Sequence, residues 1–155
     1  MIVVRGFEMS NDDHTRQRLL GTWKLVAAVR EDIPSGAKSD VLGRNPIGYI
    51  NYAPDGRMMV LTVGSGRRKP ASAAATSAEA EALFRSMTSY AGIYTIDGDE
   101  ITHHVDASWN ESWTGTHQRR FARFEGDRVH LSTPPSPDPL TGVMSVRTMT
   151  WEKMG

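Results

Sequence analysis

The sequence contains no cysteine, which excludes a disulfide scaffold, a thiolate metal site and a cysteine nucleophile. It carries no net charge, because 18 basic residues balance 18 acidic ones, so we expect neither nucleic acid nor a membrane surface as a partner. No apolar run approaches the about 18 residues of a transmembrane helix. We also expect no signal peptide, because charged residues follow the first four residues at once. Together these absences predict a cytoplasmic globular protein.

The 155 residues suit one domain with a buried core. We expect residues 1–17 to form a partly disordered N-terminal extension and residues 18–153 to form the domain. Within the extension, Asn11 or Asp12 is positioned to cap a single helical turn that Gly21 ends.

Most of the domain has the pattern of β-strands. Three pairs of strands flank short turns that contain Gly56, Gly98 or Gly126, and a tight hairpin turn requires such a residue at positive φ. The predicted strands are 22–30, 47–53, 57–63, 90–96, 101–108, 116–124, 128–132 and 143–152. One strand, three hairpins and a final strand predict an all-β fold, an eight-stranded antiparallel up-and-down barrel. A barrel of about eight strands is either filled by side chains or holds one small ligand.

One segment, residues 71–87, interrupts the β pattern. Thr76 and Glu79 have the spacing of a capping box, in which the threonine hydroxyl and the glutamate each accept a backbone N–H of the first turn. The apolar residues that follow at helical spacing are Ala80, Leu83, Phe84 and Met87. The pattern predicts one short lateral helix whose apolar face packs on the barrel.

The chain resembles the bacterial lipocalin-like domain family over about residues 18–153. The resemblance begins with the Gly-x-Trp of Gly21 and Trp23. The other matching positions are 46–52, 55–58, 90–94, 101–105, Ser108, Trp113, Gly115, Gln118, Arg120, Leu131 and Trp151. It implies a small barrel with a central cavity, and relatives that bind small apolar molecules. Some barrels of similar build act as cyclases or isomerases in secondary metabolism.

Gly21 and Trp23 are interpreted as structural residues at the narrow end of the barrel. Arg147 shares a strand face with Trp151, and we expect its guanidinium to lie over the Trp23 ring as a cation–π partner.

His103 and His104 are adjacent, so on one strand they point to opposite faces. The remaining histidines are scattered along the chain, and we therefore expect no metal site. Which of the two faces the interior stays open. A turn at Gly98 pairs Tyr94 with His103 across the hairpin, and a neutral imidazole beside a phenol can exchange a proton with a bound carbonyl compound.

Gln118 and Arg120 share one strand face and Arg119 takes the other. The family resemblance favours Arg120 as the inward arginine. A buried guanidinium needs a partner, for which Asp106, Glu111 and an anionic group of a ligand are the candidates.

Three functions are compatible with these features. The first is binding of a small, largely apolar molecule that bears a carbonyl or carboxyl group, without a cofactor. The candidate ligand-binding residues are Tyr49, Asn51, Tyr94, His103, Gln118 and Arg120. The second is a cofactor-independent isomerase or cyclase that uses the same cavity, with His103 or Tyr94 as the acid–base group. The third is a filled barrel that acts through its surface, for which a homodimer is one arrangement.

Overall fold

The structure is a computed structural model that describes residues 8–138 and 141–155. Its helices are α1 (Asn11–Leu19) and α2 (Ser77–Arg85), with one 3₁₀ turn at Glu111–Trp113. Its strands are β1 (Gly21–Asp32), β2 (Lys38–Asp40), β3 (Ile47–Tyr52), β4 (Arg57–Val63), β5 (Met87–Asp97), β6 (Glu100–Ser108), β7 (His117–Glu125), β8 (Arg128–Ser132), β9 (Ser136–Pro137) and β10 (Met144–Lys153). Within the described ranges, neither helix is long and apolar enough to cross a membrane.

The strands form a closed antiparallel barrel. Neighbours pair in the order β1, β3, β4, β5, β6, β7, β8 and β10, and β10 pairs back onto β1. This confirms the predicted eight-stranded barrel. The short strands β2 and β9 extend the sheet beside β1 and β10. Gly56, Gly98 and Gly126 occupy the hairpin turns with φ of 88°, 63° and 60°, which is the role that the sequence predicted for them.

One end of the barrel is closed by α1. The wholly buried side chain of Leu19 packs in the core at this end, and the Trp23 indole donates to the Leu19 carbonyl at 2.8 Å. The predicted extension is therefore folded as a nine-residue helix from Asn11 onward. Its cap is Ser10 instead of Asn11 or Asp12, because the Ser10 hydroxyl accepts the backbone N–H of Asp13. Predicted disorder in residues 1–7 lies outside the described residues.

The cation over Trp23 is Lys153, which corrects the assignment of Arg147. Trp23 lies opposite Lys153 in the β1–β10 pair, with Nζ 4.6 Å from the ring centre. Arg147 lies opposite Arg30 at the other end of the same pair. Gly21 begins β1 with φ of 117°.

The second helix has the predicted capping box, and it contacts the barrel at β5 and at Trp109 without burying its apolar face. The Thr76 hydroxyl accepts the Glu79 N–H, and the Glu79 carboxylate accepts the Thr76 N–H. None of its residues is buried, and Phe84 is 45% exposed. Met87 belongs to β5, so the helix ends before its apolar face is long enough to cover a strand. The ring of Phe84 instead lies beside Trp109, with ring centres 6.1 Å apart.

A β-bulge between Ala91 and Gly92 brings β5 unusually close to β6. A Cβ atom on Gly92 would lie 1.9 Å from the carbonyl oxygen of His104. We expect Gly92→Ala to lower the free energy of unfolding by about 3 kcal/mol or more, because the backbone must move to relieve this overlap. Urea unfolding measures the change.

Gly64→Ala is the matched control for this prediction. It adds the same methyl group at a position where the nearest atom, the carbonyl oxygen of Ser86, is 3.7 Å away. Equal stability of the two variants would contradict the close approach at Gly92.

Candidate functional site

A cavity of about 240 Å³ lies inside the barrel, toward the end that α1 leaves open. It is bounded by inward side chains of the strands and by loop residues at the open end. Apolar wall residues include Leu42, Ile50, Val60, Met87, Leu131 and Met149. The volume lies just below the about 300–1,000 Å³ of most ligand pockets, so the cavity suits one small molecule.

His103 lies in the wall of the cavity between two tyrosines. It points inward from β6 and is 1% exposed. Its Nε2 atom is 2.7 Å from the Tyr52 hydroxyl, and its Nδ1 atom is 2.8 Å from the Tyr90 hydroxyl. His104 points outward, and its Nε2 atom is hydrogen-bonded to the Thr95 hydroxyl. The inward histidine is therefore His103, and both of its ring nitrogens are occupied.

The three hydrogen-bonded side chains, Tyr52, His103 and Tyr90, are all neutral near pH 7. Burial, assisted by the positive charge of Arg120, lowers the pKa of His103 to about 3. Burial also raises the pKa of Tyr52 well above its ordinary value and raises the pKa of Tyr90. A neutral imidazole that resists protonation is a weak proton acceptor, so the site disfavours a general-base role for His103.

Tyr94 lies opposite His103 as predicted, but it is not the hydrogen-bonding partner of the imidazole. Its hydroxyl donates to the carbonyl of Ala53 at 2.8 Å, and it does not line the cavity. The phenols that reach the imidazole belong to Tyr52 on β3 and to Tyr90 on β5. Tyr90 lies at the end of the β5–β6 pairing, opposite Ser108. Sequence reasoning missed both. The signal that could have found Tyr52 was its shared parity with the apolar Ile50.

Tyr49 and Asn51 face away from the cavity. Tyr49 is 42% exposed, and the Asn51 amide donates to the hydroxyl of Thr22 on β1. The alternation of β3 puts Ile50 and Tyr52 inside the barrel, so the other parity lies on the outer wall. This corrects the expectation that Tyr49 and Asn51 contact a ligand in the cavity.

Arg120 is the inward arginine, as the resemblance implied. It lines the cavity, and one guanidinium nitrogen donates to the backbone carbonyl of Arg119 at 2.7 Å. Arg119 points outward and forms a two-bond ion pair with Glu100. Among the residues that the structure describes, Arg120 forms no ion pair.

Neither of the predicted internal partners reaches Arg120. Asp106 lies on the outer face and pairs with Arg57 at 2.6 Å. Glu111 accepts the hydroxyl of Thr114 in the loop before β7. Both carboxylates therefore interact with other residues, and no carboxylate in the described part of the chain pairs with Arg120.

The mouth of the cavity carries a second arginine. Arg147 lines the cavity together with Arg120, and within residues 8–138 and 141–155 it forms no ion pair either. Gln118 lies in a neighbouring, more open pocket that Arg120 and Arg147 also line, and its amide donates to the Thr116 hydroxyl. Arg85 also lines the cavity but is paired with Glu81. Among the described residues, the arginines of the cavity without an ion pair are therefore Arg120 and Arg147, whereas Gln118 is engaged locally.

The outer wall brings together two histidines that the sequence left apart. His104 and His117 lie opposite each other on β6 and β7, with their Nδ1 atoms 2.9 Å apart. A metal site usually needs three or more protein ligands, and the described residues contain no such group of histidine, aspartate and glutamate side chains.

Comparison with known proteins identifies a family and similar solved structures. A family model described as a lipocalin-like domain matches residues 20–154. A lipocalin-like protein from Bacteroides uniformis is 13% identical, with a TM-score of 0.47 over 88% of this chain and 99% of that chain. An uncharacterized protein from Bacteroides eggerthii is 12% identical, with a TM-score of 0.44 over 88% and 99% of the two chains. Among curated proteins, none matches the chain.

The lowered pKa of His103 makes stability depend on pH. The unfolded histidine takes up a proton below about pH 6.5, whereas the folded one does so only near pH 3. The contribution of His103 is therefore complete above pH 6.5 and is lost as the pH falls. Between pH 7 and pH 5 we expect it to lower the free energy of unfolding by about 2 kcal/mol.

Urea unfolding at the two pH values measures this loss, and a His103→Gln variant should lack this part of it. NMR titration of the His103 imidazole gives an independent measurement. A midpoint near the ordinary pKa of 6.5 would contradict the prediction.

Proposed function

We propose, from the premise that the chain belongs to the lipocalin-like domain family, that its cavity binds one small, largely apolar molecule. The bound molecule carries a carboxyl or carbonyl group at the end nearest the mouth. Apolar walls supply most of the binding free energy, and a few polar side chains fix the orientation. The observation that carries this proposal is Arg120, a guanidinium that lines the cavity without a carboxylate partner in the described residues.

The cost of removing a cation from water supports an anionic partner for Arg120. A guanidinium in a partly dry site loses hydration that only a hydrogen-bonded anion replaces well. Its planar set of donors matches the two oxygens of a carboxylate. Arg147 adds a second positive charge at the same mouth, so the entrance attracts anions while the interior accepts apolar groups.

The isomerase or cyclase hypothesis has weaker support. Its two acid–base candidates were His103 and Tyr94. His103 has both nitrogens hydrogen-bonded and a pKa lowered to about 3, and Tyr94 donates to a backbone carbonyl outside the cavity. The hypothesis of a filled barrel has less support still, because the interior contains a cavity.

The cellular and assembly features of this proposal stay predictions. They are a cytoplasmic location, binding without a cofactor, and a homodimer as one arrangement of the barrel. Native mass spectrometry of the purified protein, compared with a denatured sample, tests for a retained small molecule and for the dimer in one experiment.

Arg120→Gln should weaken the binding of phenylbutyrate, a small apolar acid, by about tenfold or more. A hydrogen bond to a charged group contributes about 1.5–3 kcal/mol, which corresponds to this loss in affinity. Isothermal titration calorimetry measures the two dissociation constants.

Arg119→Gln is the control for this measurement, because it removes the adjacent guanidinium from the outer face, where Glu100 holds it. Its affinity should match that of the unchanged protein. An equal loss in both variants, or no binding to the unchanged protein, would contradict the proposed site.

A further inference from the structure

The three side chains Tyr52, His103 and Tyr90 have more hydrogen-bonding protons than there are hydrogen bonds between them. Each phenol carries one proton, and a neutral imidazole carries one on a ring nitrogen. Two hydrogen bonds join the three side chains, and each uses one proton. One hydroxyl proton is left over, and it belongs either to Tyr52 or to Tyr90.

Burial decides which hydroxyl keeps the spare proton. Tyr52 is 0% exposed, does not line the cavity, and has no other hydrogen-bonding partner among the described residues. A spare proton there would be an unsatisfied buried donor, which proteins strongly avoid. The Tyr52 hydroxyl therefore donates to Nε2 of His103, and Nδ1–H of His103 donates to Tyr90. Tyr90 lines the cavity, and its hydroxyl keeps a proton that no described side chain accepts.

Two further polar atoms in the cavity wall lack a partner. The indole nitrogen of Trp151 and the hydroxyl of Thr62 are buried and make no hydrogen bond within the part of the chain that the structure describes. Both residues line the cavity and are 1% exposed. Trp23, the other buried tryptophan, donates to the Leu19 carbonyl. Of the three buried donors without a partner among the described residues, two therefore lie in the wall of the cavity, and the third, Nε of Arg30, lies outside it.

We propose that the ligand is an oxo acid, with a carboxylate at Arg120 and an uncharged acceptor oxygen, such as a ketone, that accepts a hydrogen bond from the Tyr90 hydroxyl. This rests on the proposed function and adds the second polar group to it. Tyr90 then determines specificity, because an analogue that has CH₂ in place of the ketone leaves a buried donor unpaired. Trp151 and Thr62 provide further hydrogen-bonding positions for the same oxygen or its neighbours.

Three probes of nearly equal size separate the two polar groups. Benzoylpropionate carries both the ketone and the carboxylate, phenylbutyrate carries only the carboxylate, and butyrophenone carries only the ketone. We expect benzoylpropionate to bind about tenfold or more tightly than phenylbutyrate, as is typical when a site is built to hydrogen-bond a ligand group. Isothermal titration calorimetry on the unchanged protein measures this ketone preference.

Tyr90→Phe should abolish the ketone preference and leave the affinity for phenylbutyrate within about twofold. Tyr94→Phe is the matched control, because it removes a phenol whose proton is already donated to the Ala53 carbonyl; the preference should persist in it. Thr62→Val removes an unpartnered hydroxyl without a large change of shape. It should leave the midpoint of urea unfolding of the free protein unchanged or higher while it weakens benzoylpropionate binding.

The outcomes distinguish this inference from the function on which it rests. Tight binding of phenylbutyrate with no ketone preference overturns the oxo-acid assignment alone, as expected if ordered water satisfies the wall. A preference that survives Tyr90→Phe overturns the role of Tyr90. Failure of all three probes to bind overturns the proposed function, and the oxo acid with it.

Discussion

The structure depends on the pairing of its first long strand with its last. β1 has β3 on one side and β10 on the other, so the sheet has no free edge along the barrel and every strand acquires an inner face. Only a closed sheet removes these inner faces from water on all sides. The irregularity between Leu25 and Ala27 gives β1 the local bend at this closure.

Closure has a chemical consequence for the interior. An apolar cavity normally stays dry, and its polar atoms then need partners within the protein. Here some polar atoms satisfy one another, such as those of Tyr52 and His103, while others face the empty volume, such as the nitrogen of Trp151. Within the described residues, the unsatisfied atoms of Thr62 and Trp151 belong to residues that line the cavity, where a bound molecule can supply the missing partner.

The sequence predicted those parts of the fold that local chemistry determines. The hairpin glycines, the Thr76 capping box and the pairing of Tyr94 with His103 all depend on residues close together in the chain, and the structure has each of them. The family resemblance added the inward orientation of Arg120. These signals were sufficient for the barrel and for one wall of its cavity.

The predictions were wrong where contacts between residues far apart in the sequence determine the structure. β3 has apolar and polar residues on both faces, so the sequence could not tell that Tyr52, and not Tyr49, points inward. The register between the first and last strands depends on closure of the whole barrel, so Lys153 took the place expected for Arg147 over Trp23. Two hydrogen bonds to one imidazole from β3 and β5 require three strands to be placed at once, which no local pattern specifies.

In the described part of the chain, the helix that seals one end of the barrel leaves the cavity accessible from the other end. A molecule must enter and leave through the same mouth, so the part that goes in first is the last to come out. With the proposed carboxylate held at Arg120, the rest of the molecule must fit between that end and the end that α1 closes. The depth of the barrel therefore sets an upper limit on the length of the apolar part. An acid with a longer apolar chain would be excluded, whereas a shorter one would leave part of the interior unfilled.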